Sequence, residues 1–211
     1  MITKIYLVRH TQTTGNVEKR LTGRTDFEIT EEGRRYIELL TKRLKDIRFD
    51  KIYSSTSNRA IKTVEPLAKL NNTEIITSEN LCEMYFGIYD GWKWSEVNKE
   101  NPEIQKEHIR TNEIRGIPKQ EASSEVAGRM YQFIKKVAKG NLEKTILIAS
   151  HGVAIEAFLR KVTGEVFLEK REEYSQKNTS LNIVNYDAEK DKFELVLLND
   201  FSHLDIIKKK I

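Results

Sequence analysis

Leu7-Val8-Arg9-His10-Thr11 closes an apolar run that begins at Ile5 and stops abruptly on an arginine and a histidine. A short apolar run bounded by polar residues predicts a buried strand, and in open α/β sheets ligands bind at the carboxyl ends of such strands. Arg9 and His10 are therefore expected at the mouth of a site. Thr145-Ile146-Leu147-Ile148-Ala149-Ser150 ends in the same way on His151-Gly152 and runs into helical periodicity. Two buried strands that each end on a histidine are where chemistry is to be sought.

Outward from these strands, the chain alternates helix and strand. Thr30 before Glu31-Glu32 opens an amphipathic helix to about residue 46, and Lys51-Ile52-Tyr53-Ser54 reads as a strand. Ser55-Thr56-Ser57-Asn58 offers capping groups for a helix with Ile61, Val64, Leu67, Ala68 and Leu70 inward, which Pro66 is expected to end or kink. Residues 74–77 form a further strand. An aromatic, glycine-rich irregular stretch follows at 80–92, and 93–118 is highly charged with short helical pieces. Residues 84–122 are accordingly expected to be a small helical cap inserted in a single domain spanning 1–211. A helix starts at Ser123-Ser124-Glu125, another follows Gly152, and a short helical piece lies beyond Gly164. Segments 180–186 and 192–198 alternate around an Asp/Lys turn as a hairpin does. The pattern predicts an α/β three-layer sandwich: a mostly parallel central sheet, helices on both faces and an antiparallel edge strand.

A chain of 211 residues buries roughly 70% of its unfolded surface and needs no staples. Its formal charge of +4, from 36 basic and 32 acidic residues, is dispersed and weakly favours anionic partners. Basic patches with interleaved aromatics are absent, so no nucleic-acid partner is expected, and Lys208-Lys209-Lys210 reads as a solvated tail. The single cysteine, Cys82, excludes an internal disulfide and fits a reducing compartment, with cytoplasm the expected location. No secretory segment is expected at the N-terminus, and the longest apolar region is interrupted by Ser150, His151 and Glu156. A soluble protein without a membrane partner is expected.

Arg9, His10, Arg59, His151 and a carboxylate such as Glu83, if gathered at the strand ends, suit an anion, because each guanidinium fork matches phosphate or carboxylate oxygens. Paired arginines would repel a metal cation. A zinc site from His10, His151 and His203 lacks HExxH or CxxC spacing, and His108 and His203 alone read as ordinary hydrogen-bonded histidines. There is no GxGxxG, no P-loop and no GxSxG around Ser150. Gly152 fits either close phosphate approach at a helix N-terminus or ordinary turn chemistry.

Arg9-His10-Thr11, Asn16, Thr22-Gly23 and Ile29-Thr30-Glu31-Glu32-Gly33 resemble the opening signature of the histidine phosphatase superfamily, the phosphoglycerate-mutase-like proteins. The resemblance continues through Tyr53-Ser54-Ser55, Arg59-Ala60, the stretch from Leu81 to Gly91, Ser150-His151-Gly152 and Asn199 to Leu204, and so covers nearly the whole chain. It implies that His10 is a nucleophile forming a phosphohistidine, that Arg9 and Arg59 neutralise the phosphoryl oxygens, and that His151 donates to one of them. It also implies substrate contacts from Asn16, Thr22, Gly23 and Gly152, and Glu83 as general acid, with Asp90 a fallback whose ordinary reading is a turn residue. The implied activity is metal-independent and cofactor-free hydrolysis of a small phosphate ester. Mutase-type phosphoryl transfer and a catalytically silent phospho-ligand binder are the alternatives. Cys82 replaces an arginine common in the family, and Lys119-Gln120-Glu121-Ala122 replaces a Gly-Gly-Glu-Ser run. The segment between Trp92 and Ser123 is shorter than in the cofactor-dependent mutases, which favours a phosphatase. The ester itself is left open, as is the choice between monomer and homodimer.

Overall fold

A computed structural model describes residues 1–111, 113–166 and 171–205; Lys208-Lys209-Lys210 lies outside them. Six strands form one sheet: β1 (Ile2–Arg9), β2 (Lys51–Ser54), β3 (Ile75–Thr77), β4 (Thr145–Ser150), β5 (Leu181–Asp187) and β6 (Lys192–Asp200). Their order is β3-β2-β4-β1-β5-β6. β1, β2, β3 and β4 are mutually parallel, whereas the terminal hairpin adds β5 antiparallel to β1 and leaves β6 at the edge. This is the mixed, mostly parallel sheet that the sequence predicts.

Burial of the sheet on both faces explains why β1 and β4 are continuous apolar runs. Successive side chains point to opposite faces. Ile5, Leu7, Ile146 and Ile148 enter one core cluster, and Tyr6, Val8, Leu147 and Ala149 enter a second. The second is covered by α2 (Glu31–Leu44), through Leu40 and Leu44, and by α3 (Asn58–Asn71), through Val64 and Leu67. The first is covered by α6 (Ser123–Lys139), through Met130 and Ile134, and by α7 (Gly152–Thr163), through Ile155 and Phe158.

Local signals behave largely as expected. Thr30 caps α2 by accepting from the N–H of Gly33 at 2.9 Å, and Glu125 accepts from the N–H of Ala122 at 2.7 Å at the start of α6. Two readings are corrected, and of the two effects expected of Pro66 the ending does not occur. Pro66 lies inside α3 without ending it; the carbonyl it fails to bond belongs to Lys62, an exposed residue within reach of water. Leu70 is 60% exposed, because Asn71 takes the inward place and accepts from the N–H of Phe49 at 2.8 Å. The loop after His10 also contains one helical turn, α1 (Thr14–Val17).

Segment 84–122 contributes no strand to the sheet among the described residues. It carries α4 (Trp94–Glu100) and α5 (Pro102–Thr111), and its ends meet in an isolated bridge between Phe86 and Gln120. The helical piece beyond Gly164 is α8 (Arg171–Tyr174). Among the described residues no helix is long and apolar enough to cross a membrane.

Candidate active site

Strand register brings the two histidines together. Arg9 of β1 pairs with Ser150 of β4, so the next residue of each strand, His10 and His151, emerges at the same sheet edge with ring centroids 5.1 Å apart. That is about one inter-strand spacing. β2 ends alongside, Ser54 opposite Ala149, and the chain turns through Ser55 into α3, whose first turn carries Arg59. Glu83 arrives from the loop beyond β3. His10, His151, Arg59 and Glu83 are all buried, and Arg9 is partly so.

Hydrogen bonds fix the state of each ring. Nδ1 of His10 lies 2.7 Å from the carbonyl of Thr11, which can only accept; the proton therefore sits on Nδ1 and the lone pair on Nε2. Burial first, then the charges of Arg59 and Arg9, hold the His10 pKa well below its usual value, outweighing the carbonyl's opposite pull. His151 is the opposite tautomer. A guanidinium can only donate, so Nδ1 of His151 accepts from Nη2 of Arg59 at 3.1 Å, and Nε2–H donates to Oγ of Ser55 at 2.7 Å. Burial, followed by Arg59, His10 and Arg9, keeps this ring neutral as well.

Arg59 is clasped by the polar loop after α1. Its Nη2 donates to the carbonyls of Thr22 and Gly23 at 3.1 and 2.7 Å, and Nη1 to the carbonyl of Thr25 and to Asp26 at 3.0 and 2.8 Å. Thr22 and Gly23 thus hold the arginine through their carbonyl acceptors. Asp90 secures the same loop, accepting from the N–H groups of Arg24 and Thr25 at 3.0 and 2.9 Å. It is a structural carboxylate.

Arg9 donates from Nη1 to the carbonyl of Gln176 at 2.6 Å. Burial lowers its guanidinium pKa, Glu83 raises it and Arg59 lowers it further. Nε of Arg9 and Nε of Arg59 are both buried without a hydrogen-bond partner. An unsatisfied buried donor costs about 1–3 kcal/mol, and both of these belong to cations whose charges act on His10.

Glu83 takes the first turn of α7. Its Oε1 accepts from the N–H of Ala154 and its Oε2 from that of Val153, at 2.9 and 3.1 Å. Of the helix N-terminal donors that one of the two sequence readings of Gly152 offered to a phosphate, those of Val153 and Ala154 are occupied by the carboxylate. A Cβ on Gly152 would lie 3.4 Å from Nε of Arg9 and 3.8 Å from Oε2 of Glu83, so this glycine packs against the charged groups. Asn16 accepts through Oδ1 from the N–H of Thr13 at 3.0 Å and from Asn178 at 3.2 Å; the backbone donor identifies that atom as oxygen, and its Nδ2 is the donor end.

Asn178 and Gln176 support the site without having been singled out by sequence, and Ser55, read there as a capping candidate, bonds His151 instead. Gln-Lys-Asn-Thr before a strand reads as generic turn chemistry, and only the fold reveals that Nδ2 of Asn178 holds the carbonyl of His10 at 3.1 Å. His203 lies in another network: Nδ1 accepts from Arg43 and Nε2–H donates to Oγ1 of Thr179 at 3.1 Å. Its pKa is lowered to about 4, chiefly by burial. His108 packs edge-on against Trp94. Among the described residues no three of His, Cys, Asp and Glu are grouped as metal ligands would be.

The histidine phosphatase superfamily (branch 1) model matches residues 5–200. A relative from Hydrogenobacter thermophilus, named "Putative phosphoserine phosphatase 2", is 30% identical over 95% of this chain and 97% of its own. Phosphoglycerate mutase-like protein 4 of Arabidopsis thaliana is 26% identical over 96% of this chain and 87% of its own. Among solved structures, Bacillus stearothermophilus YhfR superposes with a TM-score of 0.88 at 27% identity, covering 96% of this chain and 99% of that one. With the sheet order, the paired histidines and these matches in hand, the chain belongs to the histidine phosphatase superfamily.

Proposed function

We propose that this protein is a metal-independent phosphomonoesterase that hydrolyses a small phosphorylated metabolite through a phosphohistidine on His10. The observation that carries this reading is the state of His10: neutral, protonated on Nδ1, with the Nε2 lone pair free beside Arg9 and Arg59, each of which holds a buried, unsatisfied Nε–H. A neutral imidazole is a nucleophile, and preorganised cations stabilise the charge that builds on the phosphoryl oxygens.

In the first step Nε2 attacks phosphorus, the ester P–O bond breaks, and protonated Glu83 gives its proton to the departing alkoxide. His151 turns its Nε2–H from Ser55 to a phosphoryl oxygen, and Nδ2 of Asn16 donates to another. In the second step the Glu83 carboxylate takes a proton from water, the water oxygen attacks phosphorus, and the P–N bond breaks. Inorganic phosphate leaves and neutral His10 returns. One residue serves as acid and then base. Segment 84–122 acts as a cap over this site, the lone Cys82 fits a cytoplasmic location, and the enzyme is of the acid-phosphatase type with a small phosphate ester as its substrate.

The mutase-like names among the relatives supply a second reading, in which the phosphoryl group returns to the bound product. The test is a panel of several dozen phosphate monoesters assayed in chelator, with acid-labile phosphoenzyme measured in parallel. Phosphate release lost in His10→Ala together with the phosphoenzyme supports the phosphatase. Turnover that requires a bisphosphate primer and retains phosphate in the product assigns the mutase, and undiminished activity in His10→Ala removes His10 as nucleophile.

A further inference from the structure

Arg129 projects from α6 onto the loop that carries Glu83, where it makes three hydrogen bonds, and two more go to Glu121. Nη1 donates to the carbonyls of Asn80 and Cys82 at 2.8 and 2.7 Å, and Nη2 to that of Glu83 at 3.2 Å. Nε and Nη2 also form a two-point pair with Glu121 at 2.6 and 2.9 Å. The remaining carbonyl of this stretch, Leu81, accepts from Oγ of Ser150 at 2.7 Å, so four successive carbonyls leading to Glu83 are held. Glu121 closes the far end of segment 84–122, where its N–H donates to the carbonyl of Tyr85 at 3.0 Å. Both partners are largely buried, with 15% and 17% of their side chains exposed.

We propose that Arg129 and Glu121 are positioning residues: their ion pair aligns the Glu83 carboxyl with the leaving-group oxygen and ties that alignment to the seating of segment 84–122. This rests on the reading of Glu83 as proton donor. The guanidinium is needed for its shape. Lysine offers three donors from one atom and cannot serve three carbonyls and a carboxylate spread over a plane.

The alignment acts on the proton delivered to the leaving group, so its loss must scale with how much that group needs a proton. The experiment measures single-turnover phosphohistidine formation in wild type, Arg129→Lys and Glu121→Gln, with p-nitrophenyl phosphate and with a simple alkyl phosphate. In Arg129→Lys the alkyl ester is expected to lose roughly 10²-fold, the scale of a misplaced catalytic group, and the nitrophenyl ester less than about tenfold. Glu121→Gln, which keeps one acceptor, is expected to show the same selective loss at smaller size. Equal losses on both esters, or an undisturbed alkyl rate, overturn the clamp while the phosphatase stands. A wild-type protein that forms no phosphohistidine with either ester overturns the phosphatase reading and the clamp with it.

Discussion

Nη2 of Arg59 donates to Nδ1 of His151 at 3.1 Å, so the arginine expected to hold phosphate also sets the tautomer of the second histidine. Removing it deletes a preorganised charge and unclasps the loop whose carbonyls at Thr22, Gly23 and Thr25 it holds. Arg59→Ala is expected to lower kcat by about 10²–10³. Arg59→Lys should recover little, because one ammonium cannot meet acceptors arrayed around a planar fork. Steady-state phosphate release decides the point, and a rise in KM at normal kcat would make Arg59 a binding residue only.

Three histidines are kept neutral by burial: His10 and His151 have pKa values well below the usual one, and His203 is lowered to about 4. Each therefore binds a proton more readily in the unfolded chain, where its pKa is roughly 6.5. Below that value the unfolded state carries more protons, stability rises with pH, and it is lost as pH falls from about 6.5 toward 4. Urea unfolding at several pH values in the upper part of this window, above the range where carboxylates titrate, should show proton uptake that is smaller in His203→Gln. Stability that stays level across the window would sink the neutral assignment.

The fold was legible because its signals are local and redundant. The runs ending at Arg9 and Ser150 are too apolar for anything but strands covered on both faces, and both turn from sheet to site at a histidine. The gathering of Arg9, His10, Arg59, Glu83 and His151 at the strand ends was legible for the same reason. What escaped were roles set by contacts distant in sequence. Nothing in Thr22-Gly23 shows that its carbonyls face Arg59, 36 or more residues away. Arg129 occupies what reads as a solvated position on an amphipathic helix, and its carbonyl acceptors lie 46 to 49 residues earlier. Gly152 was ambiguous in sequence because a helix N-terminus attracts a phosphate and a carboxylate by the same dipole, and here Glu83 takes it.

Gly23 separates a packing role from a ligand role. A Cβ there would lie 2.0 Å from Oδ2 of Asp90 and 2.6 Å from the carbonyl oxygen of Met84. Asp90 would have to shift, releasing the N–H groups of Arg24 and Thr25 and with them the loop that clasps Arg59. Gly23→Ala is expected to destabilise the protein by about 1–3 kcal/mol and to reduce kcat through Arg59. Thermal unfolding checks this, and an unchanged Tm with only a raised KM would return Gly23 to the substrate contacts.

Asn178 offers a test of how firmly His10 must be held. Its Nδ2 reaches both the carbonyl of His10 at 3.1 Å and Oδ1 of Asn16 at 3.2 Å, and so fixes the backbone of the proposed nucleophile and the amide expected to face the phosphoryl group. Asn178→Ala removes two modest bonds, about 0.5–1.5 kcal/mol each, and leaves the His10 carbonyl with the N–H of Thr179. Asn178→Asp is more severe, since a carboxylate in that place offers no donor and faces two oxygens. The aspartate variant should therefore lose more kcat than the alanine variant, by up to about 10²-fold against wild type, although it is closer in shape. Equal kcat in wild type and Asn178→Asp, measured on one ester at one pH, would show that the loop from Gln176 to Ser180 supports the fold and not the position of His10.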